Sequence, residues 1–136
     1  MATFQMQVVT MDGLQFEGEV ERIKLRSAHG DIAILANHID YCTAIGMGVA
    51  KVVLPDKTER YAACIGGMLS VMNNVVRVIP TTWEWSEDID LERALAAKER
   101  AEQRLKEEQL SKKAQVNAEA KLYRALVRIS AASPEM

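Results

Sequence analysis

The sequence predicts an α+β chain: an all-β N-terminal sandwich of about ten short strands, then a C-terminal antiparallel two-helix hairpin. Three observations carry this. Up to Pro80 the chain consists of short apolar runs broken by Gly, Asn and Pro, with turn signals about every 8–12 residues, the pattern of a sandwich or barrel. From Thr81 to Ser133 there is neither Gly nor Pro. At Asp88 the apolar period changes from two to that of a helix. The division falls at residues 1–84 for the β domain and 85–136 for the helical one, with helices over about 88–106 and 113–131. Strands never alternate with long helical patterns, which excludes a βαβ architecture.

The first strand is read from Phe4, Met6 and Val8 alternating with Thr3, Gln5 and Gln7, a half-buried strand of period two. Met11-Asp12-Gly13 is a hairpin signal, because Asp-Gly tolerates positive φ, and Leu14 to Val20 is the return strand. A third strand carries Ile23 and Leu25 and ends at Ser27-Ala28-His29-Gly30. Asp31 to Ala36 is a short apolar run that turns at Asn37-His38. Ile45 to Leu54 is a strand closed by Pro55-Asp56-Lys57, where Pro sets φ. Arg60 to Ile65 returns and is broken at Gly66-Gly67; Met68 to Met72 follows, Asn73-Asn74 turns, and Val75 to Ile79 closes at Pro80. Met6, Met47, Met68 and Met72 are expected to fill gaps in the core.

Beyond Asp88, Ile89, Ala94, Ala97, Ala101 and Leu105 recur at near-helical spacing. Ser86 or Asp88 is expected to cap this helix, and Glu87, Asp88 and Asp90 complement its dipole. The polar stretch Lys106–Lys113 places a turn near 107–112. In the second helix Ala118, Leu122, Ala125, Leu126 and Ile129 form one apolar stripe. Small residues on the first helix against large ones on the second predict close antiparallel packing. So thin a seam is marginal by itself, since tertiary packing supplies most helical stability. Such an arm has two states available, folded as a hairpin or opened against a partner.

Composition narrows the function. The 136 residues carry a net charge of −2, so no global basic field argues for nucleic acid. Cys42 and Cys64 lie in apolar runs and read as small buried hydrophobes in a reducing compartment. His29 and His38 lack metal-ligand spacing, so no metal is expected. No apolar run is long enough to span a bilayer, and the start lacks the features of a secretory signal. There is no Gly-x-x-x-x-Gly-Lys-Ser/Thr loop, no Ser/His/Asp grouping and no paired carboxylates in apolar surroundings. The chain is therefore expected not to be an enzyme and to require no cofactor.

One constellation remains. Asp90 and Arg93 share a helix face at i, i+3, as do Arg124 and Arg128 at i, i+4. If the helices pair antiparallel, these arginines converge near Glu84 and Asp90 at the open end of the hairpin. Three guanidiniums with one or two carboxylates suit a polyphosphate ligand. Periodicity alone favours the plainer reading, a solvated, salt-bridged surface worth under about 1 kcal/mol per pair. Trp83 and Trp85 are read as covering the sandwich edge rather than stacking on a base.

Three runs stand out in the β domain: Gly30-Asp31-Ile32-Ala33-Ile34-Leu35-Ala36-Asn37-His38, Gly66-Gly67-Met68-Leu69-Ser70-Val71 and Asn74-Val75-Val76-Arg77-Val78. With them, and over essentially its whole length, the chain resembles the epsilon subunit of the bacterial F-type (rotary) ATP synthase. Ile89-Asp90-Leu91-Glu92-Arg93-Ala94 is similar to the Ile/Leu-Asp-x-x-Arg-Ala motif with which some members bind ATP. Arg124-Ala125-Leu126-Val127-Arg128 is similar to the family's Arg-Ala-x-x-Arg, and Glu84 falls where a further contact residue lies. Ala33 and Asn37 stand where the family usually has Gly, and Trp83 and Trp85 replace small or acidic residues.

The resemblance implies a non-catalytic rotor subunit of a proton- or sodium-translocating synthase. Its sandwich would dock on the gamma subunit and the c-ring. Its arm would extend into the catalytic alpha/beta hexamer to inhibit ATP hydrolysis. ATP, with or without Mg²⁺, would be a regulatory ligand held by Glu84, Ile89, Asp90, Arg93, Ala94, Arg124 and Arg128. The implied location is the cytoplasmic face of the cell membrane, peripheral and through the complex. Basic side chains of the arm, Arg100, Arg104, Lys112, Lys113, Lys121 and Arg124 among them, would meet acidic surface on the catalytic subunits. Two other classes stay open: a stand-alone ATP sensor, and a helical scaffold that binds no ligand.

Overall fold

The computed structural model describes residues 2–107 and 109–133. Eight strands precede two helices: β1 (Phe4–Thr10), β2 (Gly13–Val20), β3 (Arg22–Ser27), β4 (Gly30–Leu35), β5 (Tyr41–Ala44), β6 (Met47–Val53), β7 (Glu59–Met72), β8 (Val75–Trp85), α1 (Leu91–Leu105) and α2 (Lys112–Ala132). The fold class is the expected one, with eight strands rather than about ten. Gly66-Gly67 bends β7 without breaking it, so the runs beginning at Arg60 and Met68 are one strand, and Tyr41–Ala44 is a strand that the sequence reading did not include.

Strand order is β2-β1-β8-β7-β6-β3-β4, with β5 added on β7. Only β1 and β8 run parallel; the other ladders are antiparallel. Two long strands serve both layers of the sandwich. The C-terminal half of β7, from Gly67, pairs with β5 and with Val75–Pro80 of β8, whose start pairs with β1. The N-terminal half pairs with β6 and with Thr82–Trp85 of β8. The crossing point is Gly67 opposite Pro80. Gly66 and Gly67 take φ of +68° and +102°, and a Cβ on Gly67 would lie 2.0 Å from the carbonyl oxygen of Ile79. Only glycine fits there.

Between the layers lie Phe4, Met6 and Val8 from β1, Ile23 and Leu25 from β3, Leu69 and Val71 from β7, and Val76 and Val78 from β8, all buried. The alternation read in β1 is the burial pattern observed. Asn37 has φ +65°, a left-handed turn that Asn tolerates in place of Gly.

Register and burial correct four expectations about the core. Met68 and Met72 are exposed, and Met47 is half-buried, so of the four methionines only Met6 fills the core. Ala44, Met68 and Ile79 stand side by side across β5, β7 and β8, as do Cys42, Ser70 and Arg77. Directly paired residues share a face, and these rows face outward while Thr43, Leu69 and Val78 between them face inward. Cys42 is therefore exposed, whereas Cys64 is buried, and burial pushes its thiol pKa up to about 12.

The helical arm begins after a single turn of 3-10 helix at Ser86–Asp88. The cap of α1 is Asp90 rather than Ser86 or Asp88: its Oδ1 accepts from the Arg93 N–H at 3.1 Å. Ser111 caps α2 in the same way, accepting from the Ala114 N–H at 3.1 Å. Between the helices Gln109 takes φ +63°, a turn within the stretch where polarity placed it. The seam is alanine on both sides, Ala94 and Ala101 against Ala118 and Ala125, not small against large. Leu126 lies outside it, half-exposed, as does Leu95. Helix α2 packs on β6 and β7, and α1 packs chiefly on α2.

Candidate functional site

The site is assembled from three separate segments: the end of β8, the capped start of α1 and the last turns of α2. Because the helices are antiparallel, the first turn of α1 lies beside the end of α2. A cleft of about 400 Å³ forms there, and its walls include Glu84, Ile89, Asp90, Arg93, Ala94 and Arg128. Six of the seven residues singled out from sequence thus meet at one place. Arg124 lines the adjoining groove between the helices instead.

Glu84 holds Arg128, with Nε donating to Oε1 at 2.7 Å. Both side chains keep about a third of their surface, 31% for Arg128 and 34% for Glu84. The pair ties α2 to the sandwich across a partly dry gap, intermediate between exposed pairs of small worth and buried pairs that need full hydrogen bonding. Asp90 is occupied too, since one carboxylate oxygen caps α1. Arg93 has no ion pair among the described residues.

Sequence reading missed Asp88, Ala97 and Ala125 as walls of the cleft, and gave Arg100 only to the basic side chains expected to meet acidic surface on the catalytic subunits. Arg100 lines both the cleft and the adjoining groove. The signal was available: Arg100 follows Arg93 by seven residues, two helical turns, and so returns to the same face.

A second cluster fixes the junction beneath the cleft. The Arg60 guanidinium lies 3.6 Å from the centroid of the Trp85 ring and donates to Glu87 at 2.6 Å. Trp85 in turn meets Trp83 edge to face at 5.2 Å and Phe16 at 6.1 Å. Both indoles are buried in the core rather than laid over its edge, which leaves neither free to stack on a base. Trp83 Nε1 is the buried side-chain polar atom without a hydrogen-bond partner among the described residues. Glu87's own backbone N–H, and then Arg60, hold its carboxyl below the usual carboxylate range. Among the described residues no group of three His, Cys, Asp or Glu could hold a metal, and no helix is long and apolar enough to cross a membrane.

Comparison with known proteins agrees with this architecture in both halves. Residues 3–86 match the family described as "ATP synthase, Delta/Epsilon chain, beta-sandwich domain". Residues 87–133 match "ATP synthase, Delta/Epsilon chain, long alpha-helix domain". The ATP synthase epsilon chain of Caldicellulosiruptor bescii is 42% identical over 97% of this chain and 95% of its own length. That of Shouchella clausii is 38% identical over 97% and 96%. A chain in the cryo-EM structure of the Euglena gracilis mitochondrial ATP synthase, comprising OSCP, F1 and c-ring, has the same fold. Its TM-score is 0.80 at 19% identity, covering 93% of this chain and 80% of that one. On this evidence the chain belongs to the ATP synthase delta/epsilon family and is similar to its epsilon chains along nearly its whole length.

Proposed function

We propose that the chain is a non-catalytic subunit of the central stalk of a rotary ATP synthase. In this reading its sandwich docks on the gamma subunit and the c-ring, and its helical arm restrains ATP hydrolysis by the alpha/beta hexamer. ATP held in the cleft favours the folded arm. One observation carries the regulatory part: the cleft exists only where Glu84, the start of α1 and the end of α2 are brought together. A ligand for it binds the folded arm and not the open one, and such differential affinity is what shifts a two-state equilibrium.

The ligand chemistry follows from the walls. Arg93, Arg100 and Arg128 suit phosphate oxygens. Glu84, Asp88 and Asp90 supply acceptors for ribose hydroxyls or an exocyclic amine. The outer rows of the sheet support a docked partner. Met68, Met72 and Ile79 are 45%, 54% and 51% exposed, and neighbouring apolar side chains left open on one sheet face mark an interaction surface. A stand-alone ATP sensor has no use for that face. Solved synthases support the same partners, since the Euglena gracilis chain named above and a Tetrahymena thermophila structure described as central stalk and c-ring, with a TM-score of 0.62 at 11% identity, share this fold. Assembly through these partners would hold the chain at the cytoplasmic face of the cell membrane.

Calorimetric titration of the isolated protein with ATP tests the site. Binding is expected, and Arg93→Ala is expected to weaken it about tenfold, the loss of one charge-assisted contact. No heat at millimolar ATP would remove the nucleotide from the reading. Deleting the chain from Glu87 onward tests the arm: hydrolysis by the reassembled complex should rise, and unchanged hydrolysis counts against restraint.

A further inference from the structure

Beyond the cleft, the seam between α1 and α2 opens into a groove of about 560 Å³ whose lining, among the described residues, holds no carboxylate. Its floor is alanine, Ala97, Ala101, Ala118 and Ala125. Its walls are cationic: Arg100 and Arg104 from α1 face Lys121, Arg124 and Arg128 from α2, with Asn117 between. Arg128 is paired with Glu84 and Arg104 with Glu107. Arg100, Lys121 and Arg124 have no ion pair among the described residues.

The groove and the cleft are continuous, because Ala97, Arg100, Ala125 and Arg128 line both. Charge is graded along them. Glu84, Asp88 and Asp90 stand at the open end of the hairpin, and only cations line the way toward the turn. From Arg93 to Arg104 is 11 residues of helix, roughly 16 Å at the α-helical rise. A nucleoside triphosphate with its ribose at the acidic end presents its phosphates to Arg93, Arg100, Arg128 and Arg124. Arg104 and Lys121 are left beyond it, facing each other across an empty floor.

We propose that this furrow is a site for a linear polyphosphate chain longer than a triphosphate, free or carried on a nucleoside. The lining selects against a peptide. Every backbone N–H laid in the groove needs an acceptor, and among the described residues the only side-chain acceptor there is the Asn117 amide. Phosphate oxygens need donors, which the arginines, Lys121 and the amide NH2 of Asn117 supply. The alanine floor lets a narrow chain lie close to both helices, and neutralising facing cations removes a repulsion that otherwise opposes closing the hairpin. The proposal rests on the nucleotide reading only for where the first phosphates lie.

The test compares ATP, adenosine tetraphosphate and inorganic tetrapolyphosphate as calorimetric titrants of the full chain. Adenosine tetraphosphate should bind about tenfold tighter than ATP, and an Arg104→Gln/Lys121→Gln double variant should lose that gain while binding ATP within about twofold of the wild type. A Lys98→Gln/Lys106→Gln control, changing two cations outside the furrow, should keep it. Tetrapolyphosphate that binds and depends on Arg104 and Lys121 shows that a free chain suffices; a silent tetrapolyphosphate beside a tight nucleoside tetraphosphate shows that the chain must be carried. Equal affinity for ATP and its tetraphosphate, with tetrapolyphosphate silent, overturns the proposal. So does an equal loss in the control, which would mean diffuse attraction. If ATP fails to bind while tetrapolyphosphate binds through Arg104 and Lys121, the nucleotide reading falls and the furrow stands.

Discussion

Ala125→Leu is the substitution that asks most directly whether the arm is a separate cooperative unit. Ala125 is 1% exposed and faces the first helix, where Ala94 and Ala101 are 4% and 5% exposed. Leucine adds three carbons where the helices meet through methyl groups, so it must push α1 outward or twist out of its rotamer. Overpacking of this kind costs about 1–3 kcal/mol. At about 1.4 kcal/mol per tenfold, that is roughly a 5- to 150-fold rise in the population of the opened arm. Native-state amide exchange reads it residue by residue. Amides of α1 and α2 should lose protection by that factor, while those of β7 and β8 in the sandwich keep theirs. Unchanged exchange in α1 would show that the seam is slack. Equal loss in β7 would show that arm and sandwich open together, and would refute the idea of an arm with its own equilibrium.

Other expectations follow from single features. Gly67→Ala should cost at least about 3 kcal/mol in urea unfolding, since the left-handed backbone and a Cβ driven into the Ile79 carbonyl oxygen leave no room to relax. Under native conditions a thiol reagent should modify Cys42 and spare Cys64, whose burial keeps it protonated at neutral pH; quantitative labelling of both would contradict the packing of β7. Glu87 is depressed below its ordinary 4.5 in the folded chain, so its contribution is complete above that value and is lost as pH falls through the lowered one. Tryptophan fluorescence, through Trp85 under Arg60, should therefore show a step on acidification below pH 4.5 that Glu87→Gln abolishes. Asp90→Ala should remove about 1 kcal/mol from α1 as the loss of an N-cap, measurable by exchange without any ligand present.

Much of the architecture was legible because period alone decides it. Phe4, Met6 and Val8 alternate and point inward, and the freedom from Gly and Pro between Thr81 and Ser133 leaves helices as the economical solution. What was not legible depends on which strand lies next to which. Met68 and Met72 look like core residues until the rows with Ala44 and Ile79 show them outside. A pair of glycines reads as a chain break, and only the close approach of Ile79 shows that it is a bend shared by two layers. At the cleft, the motif spacing placed Arg93 and Arg128 correctly near Glu84 but could not say that Asp90 spends one oxygen on its own helix. Arg124 lies one turn from Arg128, and that single turn sets it along the groove rather than in the cleft.

The packing of the arm has a consequence for how it is made. In chain order the sandwich is followed by α1 and then α2, but in space the second helix lies on β6 and β7 and the first leans chiefly on the second. During synthesis α1 leaves the ribosome before its main support exists. It must wait as a short solvated helix, marginal by length, until Ser111 to Ala132 has followed it out. The later helix is thus the first that can be seated, and the arm is completed by turning back on itself rather than by growing outward. A chain halted before α2 would carry a finished sandwich and an unanchored α1.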